Sequence, residues 1–142
     1  MGLGICSCSH TCSDVVVFSE LSENQLVAIS HVSFGYFFEH NGSSAQATAT
    51  MYCLELFGKD PEPDFFESYK ENNPPVGKAS DFKGHQGMIL FKITDIDYEK
   101  EGMWRVKCQY HEGGLSAAWY KMWLNYSCGK WKVISMDCYQ IS

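Results

Sequence analysis

The residues with the most chemical potential lie at the start of the chain. Cys6, Cys8, His10 and Cys12 put four soft donors within seven residues. Thiolate and imidazole suit zinc or copper(I), so this cluster is a candidate metal site. Its spacing fits no standard zinc module, and the segment has no apolar core to fix the ligands. Gly2 opens a second chemistry. With Met1 removed, its amine could carry a myristoyl chain, with Cys6 or Cys8 palmitoylated beside it. Position 6 is Cys where that signal prefers Ser or Thr, and no polybasic run adds to the anchor. A membrane enters the picture only through such acylation. The plain alternative is a frayed, Ser-rich tail with idle thiols.

Elsewhere the reactive residue types form no recognisable constellation. Seven cysteines, an odd number, argue against a closed disulfide framework. The start of the chain lacks a basic segment followed by an apolar one, so an intracellular protein with reduced thiols is expected. Five histidines make a Cys–His nucleophile conceivable, but no Cys sits in a glycine-flanked nucleophile turn. Cys53 and Cys108 read as small buried hydrophobes. There is no P-loop, and Gly84-His85-Gln86-Gly87 has no basic residue to cradle phosphate. No cofactor is expected.

These groups must be positioned by the folded body. The 142 residues are 45% apolar and 15% aromatic, enough for one real core and too apolar for disorder. Eleven Lys and Arg against 17 Asp and Glu leave a charge of −6, which argues against nucleic acid as a direct partner. No run approaches the ~18 apolar residues of a membrane span. Residues 1–18 read as a flexible Cys/Ser-rich tail and 19–142 as a single domain. A helix is expected from Ser22, where Ser22 and Gln25 have capping-box spacing and Leu26, Ile29, Phe37 and His40 recur at helical steps. A second helix is expected from Ser44 to about Phe57, stopped by Gly58. Asp64 to Lys70 could form a short acidic helix carrying Phe65, Phe66 and Tyr69. Those three aromatics are either a peptide-docking surface or the packing of an irregular loop on the domain's edge.

From Met88 the period switches to two. Strands are expected over Met88–Tyr98, Met103–His111, Ala117–Tyr126 and Trp131–Ile141, with turns at Glu99–Gly102, Glu112–Gly114 and Ser127–Lys130. Two or three helices followed by such a meander make an α+β fold, with a curved, mainly antiparallel sheet of about four or more strands. Strands this long curl, and a curl with helices inside is a cone with a pocket. The third strand is rich on both faces. Tyr120, Met122, Leu124 and Tyr126 share one face; Trp119, Lys121, Trp123 and Asn125 share the other. Only one face can cover the helices. Two outward Trp are costly unless covered, so Trp119 and Trp123 mark a candidate interface, with Tyr139 nearby. A register shift that buries one of them is the competing reading.

The last hairpin, Trp119-Tyr-Lys-Met-Trp123-Leu-Asn, a turn, then Trp131-Lys-Val-Ile-Ser-Met-Asp137-Cys-Tyr139, resembles the nuclear transport factor 2 family. Phe37-Phe38 takes the place of that family's paired tyrosines, Tyr52 that of the tyrosine closing its second helix, and Gly77-Lys78-Ala79 its glycine-lysine segment. The order runs over roughly residues 26–141. The resemblance implies a cone-shaped domain that dimerises with itself or a homologous domain. It implies a transport or messenger-RNA export cofactor of cytoplasm and nucleus that binds Phe-Gly peptides. The loop His111–Ala118 has one acid, Glu112, where the import factor carries several, which counts against binding Ran. The same fold also supports isomerases and cyclases that use an Asp base with a Tyr donor. Asp137 and Tyr120 would be that pair here, with Asp95 and Tyr126 as further candidates, although spacing alone does not converge them.

Overall fold

Helix α1 spans Glu23–Glu39, and its start is fixed by the expected capping box. The Gln25 N–H donates to Ser22 Oγ at 3.2 Å, and the Ser22 N–H donates to Gln25 Oε1 at 2.7 Å. The computed structural model describes residues 14–84, 87–113 and 116–142. Gly2, Cys6, Cys8, His10 and Cys12 lie outside the described residues, and so do the metal and acylation readings built on them. Ile29, Phe34, Phe37 and Phe38 recur on one stripe of α1, and all four are buried.

The segment read as a second helix folds differently. A 3₁₀ helix covers only Gln46–Thr48, and Met51–Leu56 is a strand. The described residues therefore contain one α-helix, with a second short 3₁₀ helix at Pro63–Tyr69 and a third at Ala79–Asp81. The physical reason lies in burial on both sides. Tyr52 and Leu54 enter the core, and Cys53 between them is also fully buried, so the run shows no alternation. A strand covered on both faces reads as a continuous apolar run, which periodicity cannot tell from a helix.

Among the described residues seven strands make one mixed, curved sheet. They are β1 (Val15–Val16), β2 (Met51–Leu56), β3 (Val76–Lys78), β4 (Met88–Lys100), β5 (Met103–His111), β6 (Ala117–Ser127) and β7 (Lys130–Ile141). β2 pairs in parallel with β3 and β4, and β4 to β7 form the expected antiparallel meander. The tight turns at Glu101–Gly102 and Cys128–Gly129 hold both central residues at positive φ, the geometry that suits the twist of a two-residue hairpin. Gly102 has a second reason to be glycine: a Cβ there would stand 2.6 Å from Val15 Cγ1. That contact seats β1, which pairs with the end of β6. Residues 15–18, assigned to the tail above, thus contribute a strand and Phe18, whose ring packs on Tyr126 and Trp131.

The core lies between α1 and the concave face of the sheet. Phe34, Phe37, Phe91, Ile93, Val106, Met122 and Leu124 are at most 1% exposed and fill it. Cys108 sits among them, and Cys53, between the inward Tyr52 and Leu54 on β2, lies on the other side of the sheet. Burial first, then the Asp81 and Asp60 carboxylates, pushes the Cys53 thiol up to about 11. Burial raises Cys108 as well. Thiolates are the reactive form. Iodoacetamide at neutral pH should therefore label exposed Cys138 in the native protein, while Cys53 and Cys108 react only in denaturant. Peptide mass mapping checks this, and native labelling of Cys108 would contradict the packing.

Candidate functional site: the outer face of the sheet

Alternation decides which side chains leave the core. On β5, Trp104, Val106, Cys108 and Tyr110 point to α1, so Arg105, Lys107, Gln109 and His111 point outward. On β6, Tyr120, Met122 and Leu124 point inward, so Trp119, Lys121, Trp123 and Asn125 share the outer face. Both Trp are half-buried there. No register shift carries either one into the core, because the β5–β6 pairing is continuous from Trp104–Leu124 to His111–Ala117.

The pairing sets these residues out in rows. Arg105 opposes Trp123, and Gln109 opposes Trp119. Between them runs a row across four strands: Asp95 opposite Lys107, Lys107 opposite Lys121, Lys121 opposite Asp137. Two like charges side by side cost a few tenths of a kcal/mol or more, and the flanking acids offset that. Lys121 Nζ also sits 5.0 Å from the Tyr139 ring centroid. Arg105 reaches Glu99 at 3.1 Å and Asp97 at 3.7 Å, and Lys92 reaches Glu55 at 3.8 Å. The His111 ring meets Trp119 edge to face, 6.1 Å between centroids. Arg105 Nε, His111 Nε2 and Asn125 Oδ1 are buried with no hydrogen-bond partner among the described residues.

The expected catalytic pair does not assemble. Tyr120 points into the core, where its hydroxyl accepts the Gly42 N–H at 3.0 Å. Asp137 is exposed on the opposite face, directly across from Lys121. Asp95 is exposed on that outer face too, and Tyr126 packs on the core's edge against Trp131. A proton cannot pass between groups on opposite sides of a packed sheet, so Asp137 and Tyr120 do not form an acid–base site.

The expected docking aromatics are also redistributed. Phe65 and Tyr69 are 6% and 9% exposed and belong to the core; Phe66 alone is partly open. What holds them is His31, a residue the sequence reading passed over. Its ring stacks on Phe65 at 3.9 Å, and its Nδ1 is 2.8 Å from Tyr69 Oη. Burial raises the Tyr69 phenol, so it keeps its proton, and burial lowers His31, so the hydrogen bond joins two groups that burial holds uncharged.

His111 is lowered too, by burial first and by Lys92 second, against the opposing pull of Glu55. Both imidazoles thus bind protons more weakly folded than unfolded. Their contribution to stability is complete above the ordinary value of 6.5 and is lost as pH falls through their folded values. The thermal midpoint should fall between slightly alkaline and mildly acidic pH, and less so in a His31→Asn, His111→Asn double variant. Equal slopes for the two proteins would remove both histidines from the explanation.

Arg105, His111 and Asn125 were legible in principle, since they share the parity of Trp119 and Trp123. Their burial was not, because it depends on side chains of the adjacent strands, such as Trp123 and Glu99 beside Arg105 and Trp119 beside His111. Among the described residues no three His, Cys, Asp or Glu side chains gather as a metal site, and no helix is long and apolar enough to cross a membrane. Compared with family models, curated proteins and solved structures, the chain matches none of them.

Proposed function

We propose that this chain is a non-catalytic binding module of the nuclear transport factor 2 type, working as a dimer through the outer face of its sheet. The observation that carries this reading is the outward set on β5 and β6. Trp119 and Trp123 are half-covered there, while Arg105 Nε, His111 Nε2 and Asn125 Oδ1 are buried without hydrogen-bond partners among the described residues. Each unpaired buried polar group costs about 1–3 kcal/mol. A second sheet packed face to face, at about 10 Å, would cover the indoles and bring donors and acceptors within reach. Donor and acceptor atoms on one face suit a two-fold contact between identical or homologous domains.

The interior supports binding at the surface rather than inside. Phe34, Phe37, Phe91 and Met122 occupy the space between α1 and the curved sheet that a small ligand would need. The transport and export role rests on the resemblance of the last hairpin. A Phe-Gly peptide would find its apolar surface in the cleft of about 300 Å³ lined by Leu26, Val27, Leu56, Phe57 and Pro61, not at Phe65 and Tyr69. Sedimentation equilibrium of the full chain from micromolar to millimolar concentration tests the dimer. Twice the chain mass is the expected result, and a monomer throughout would sink the proposal.

A further inference from the structure

The long edge of the sheet makes a second surface, independent of the outer face. β7 is 12 residues long and, among the described residues, pairs with β6 alone. Its other edge therefore presents a row of unused N–H and C=O groups, a template for one more strand. Soluble proteins blunt such edges with bulges, Lys, Pro or a covering element. β7 has two bulges, where the pairing skips Ile134 and Tyr139. Both bulges display a large apolar side chain, 52% and 47% exposed, instead of a charge. The edge is bent but not protected by these residues.

Beside its first residues lies a groove of about 550 Å³ between β7 and α1. His31, Gly35, Tyr36 and Glu39 line its helix side, and Lys130, Trp131 and Lys132 its strand side. Gly35 is exposed, and a Cβ there would meet nothing within 4 Å, so the helix wall is low where a peptide would cross it. On a chain of net charge −6, two lysines against one glutamate make this groove locally basic.

We infer that the free edge of β7 and the groove beside α1 form a strand-addition site for an extended acidic peptide of another protein. The backbone of β7 supplies the hydrogen bonds. Lys130 and Lys132 select acidic side chains, and the partly open Tyr36 ring on the helix side receives one apolar or aromatic side chain.

The test uses the full, isotope-labelled chain and a synthetic decapeptide of alternating glutamate and valine with a central phenylalanine. Amide shifts confined to residues 130–141 and 31–39 are expected. The same peptide with alternate amides N-methylated should bind at least about tenfold more weakly. Gly35→Gln should keep or raise the thermal midpoint, since Gly is the poorer helix former, and should weaken binding about tenfold by filling the groove. Shifts elsewhere, equal binding of the N-methylated peptide, or equal binding by Gly35→Gln would each overturn the site. So would β7 amides that exchange slowly in the full chain and quickly once residues 1–13 are removed, because that segment would then be the occupant.

Discussion

Phe37→Ala is expected to lower the unfolding free energy by about 3–5 kcal/mol, the range for truncating a buried Phe. The ring is 0% exposed and stands at the middle of an aromatic cluster. It meets Phe91 at 5.3 Å and Tyr120 at 5.1 Å, both edge to face, with Tyr110 at 6.3 Å. Removing it takes away transfer energy and leaves a cavity whose walls are strands that cannot close independently. Tyr120 then loses a packing partner on one side while its hydroxyl still holds Gly42 on the other. A domain of this kind has about 5–15 kcal/mol to lose, so the variant should be close to unfolding at physiological temperature. Urea titration followed by circular dichroism measures the change. Ile141→Ala, on a side chain 76% exposed near the end of β7, should stay within about 0.5 kcal/mol and serves as the reference. A loss below about 1 kcal/mol for Phe37→Ala would mean that the interior collapses easily or is not filled. The reading of a small ligand bound inside the domain would then return.

The same residue shows what the sequence makes legible. Phe37 stands on a stripe with Ile29 and Phe38 that the helical period marks plainly, and Ser22 with Gln25 marks where that helix begins. β5 and β6 are equally plain, because each has one wet and one dry face and so alternates; β4, with Ile89, Leu90 and Phe91 all buried, and the mostly exposed β7 are marked by their length and flanking turns instead. β2 defeats the method because Tyr52, Cys53 and Leu54 are all buried. β1 escapes because two residues of pairing leave no period to read. The candidate site divides in the same way. Parity alone put Trp119 and Trp123 on the outer face, and they lie there. The His31–Tyr69 hydrogen bond joins residues 38 positions apart, and nothing local to either residue announces it. Phe65 and Tyr69 looked like a docking surface for that reason: their partner on α1 is visible only once the helix and the 3₁₀ turn are packed together.

The second large effect concerns assembly rather than folding. For the proposed dimer, Trp119→Ala with Trp123→Ala is expected to leave a monomer with the fold in place. Neither indole contributes to the core, so the cost to the single domain should be modest. Interface Trp residues commonly contribute about 2 kcal/mol or more each when truncated. The two positions are four residues apart on one strand, roughly 13 Å, beyond the distance at which substitutions couple strongly. Each substitution occurs in both protomers of a two-fold dimer, so the effects of the four lost indoles should add to about 8 kcal/mol, roughly a millionfold in the dimer dissociation constant. Each single variant should fall near the midpoint of that range. Lys121 lies between them, opposite Lys107 and Asp137, and gives an electrostatic control. Lys121→Glu places an acid directly across from Asp137 and should weaken the dimer in a way that added salt partly restores. Sedimentation velocity separates these outcomes. If both Trp variants sediment as wild-type dimers, the indoles face water for another reason and the pairing surface lies elsewhere. If the double variant is monomeric but the Lys121→Glu effect ignores salt, the contact is apolar and the charged row across β4 to β7 belongs to the fold alone.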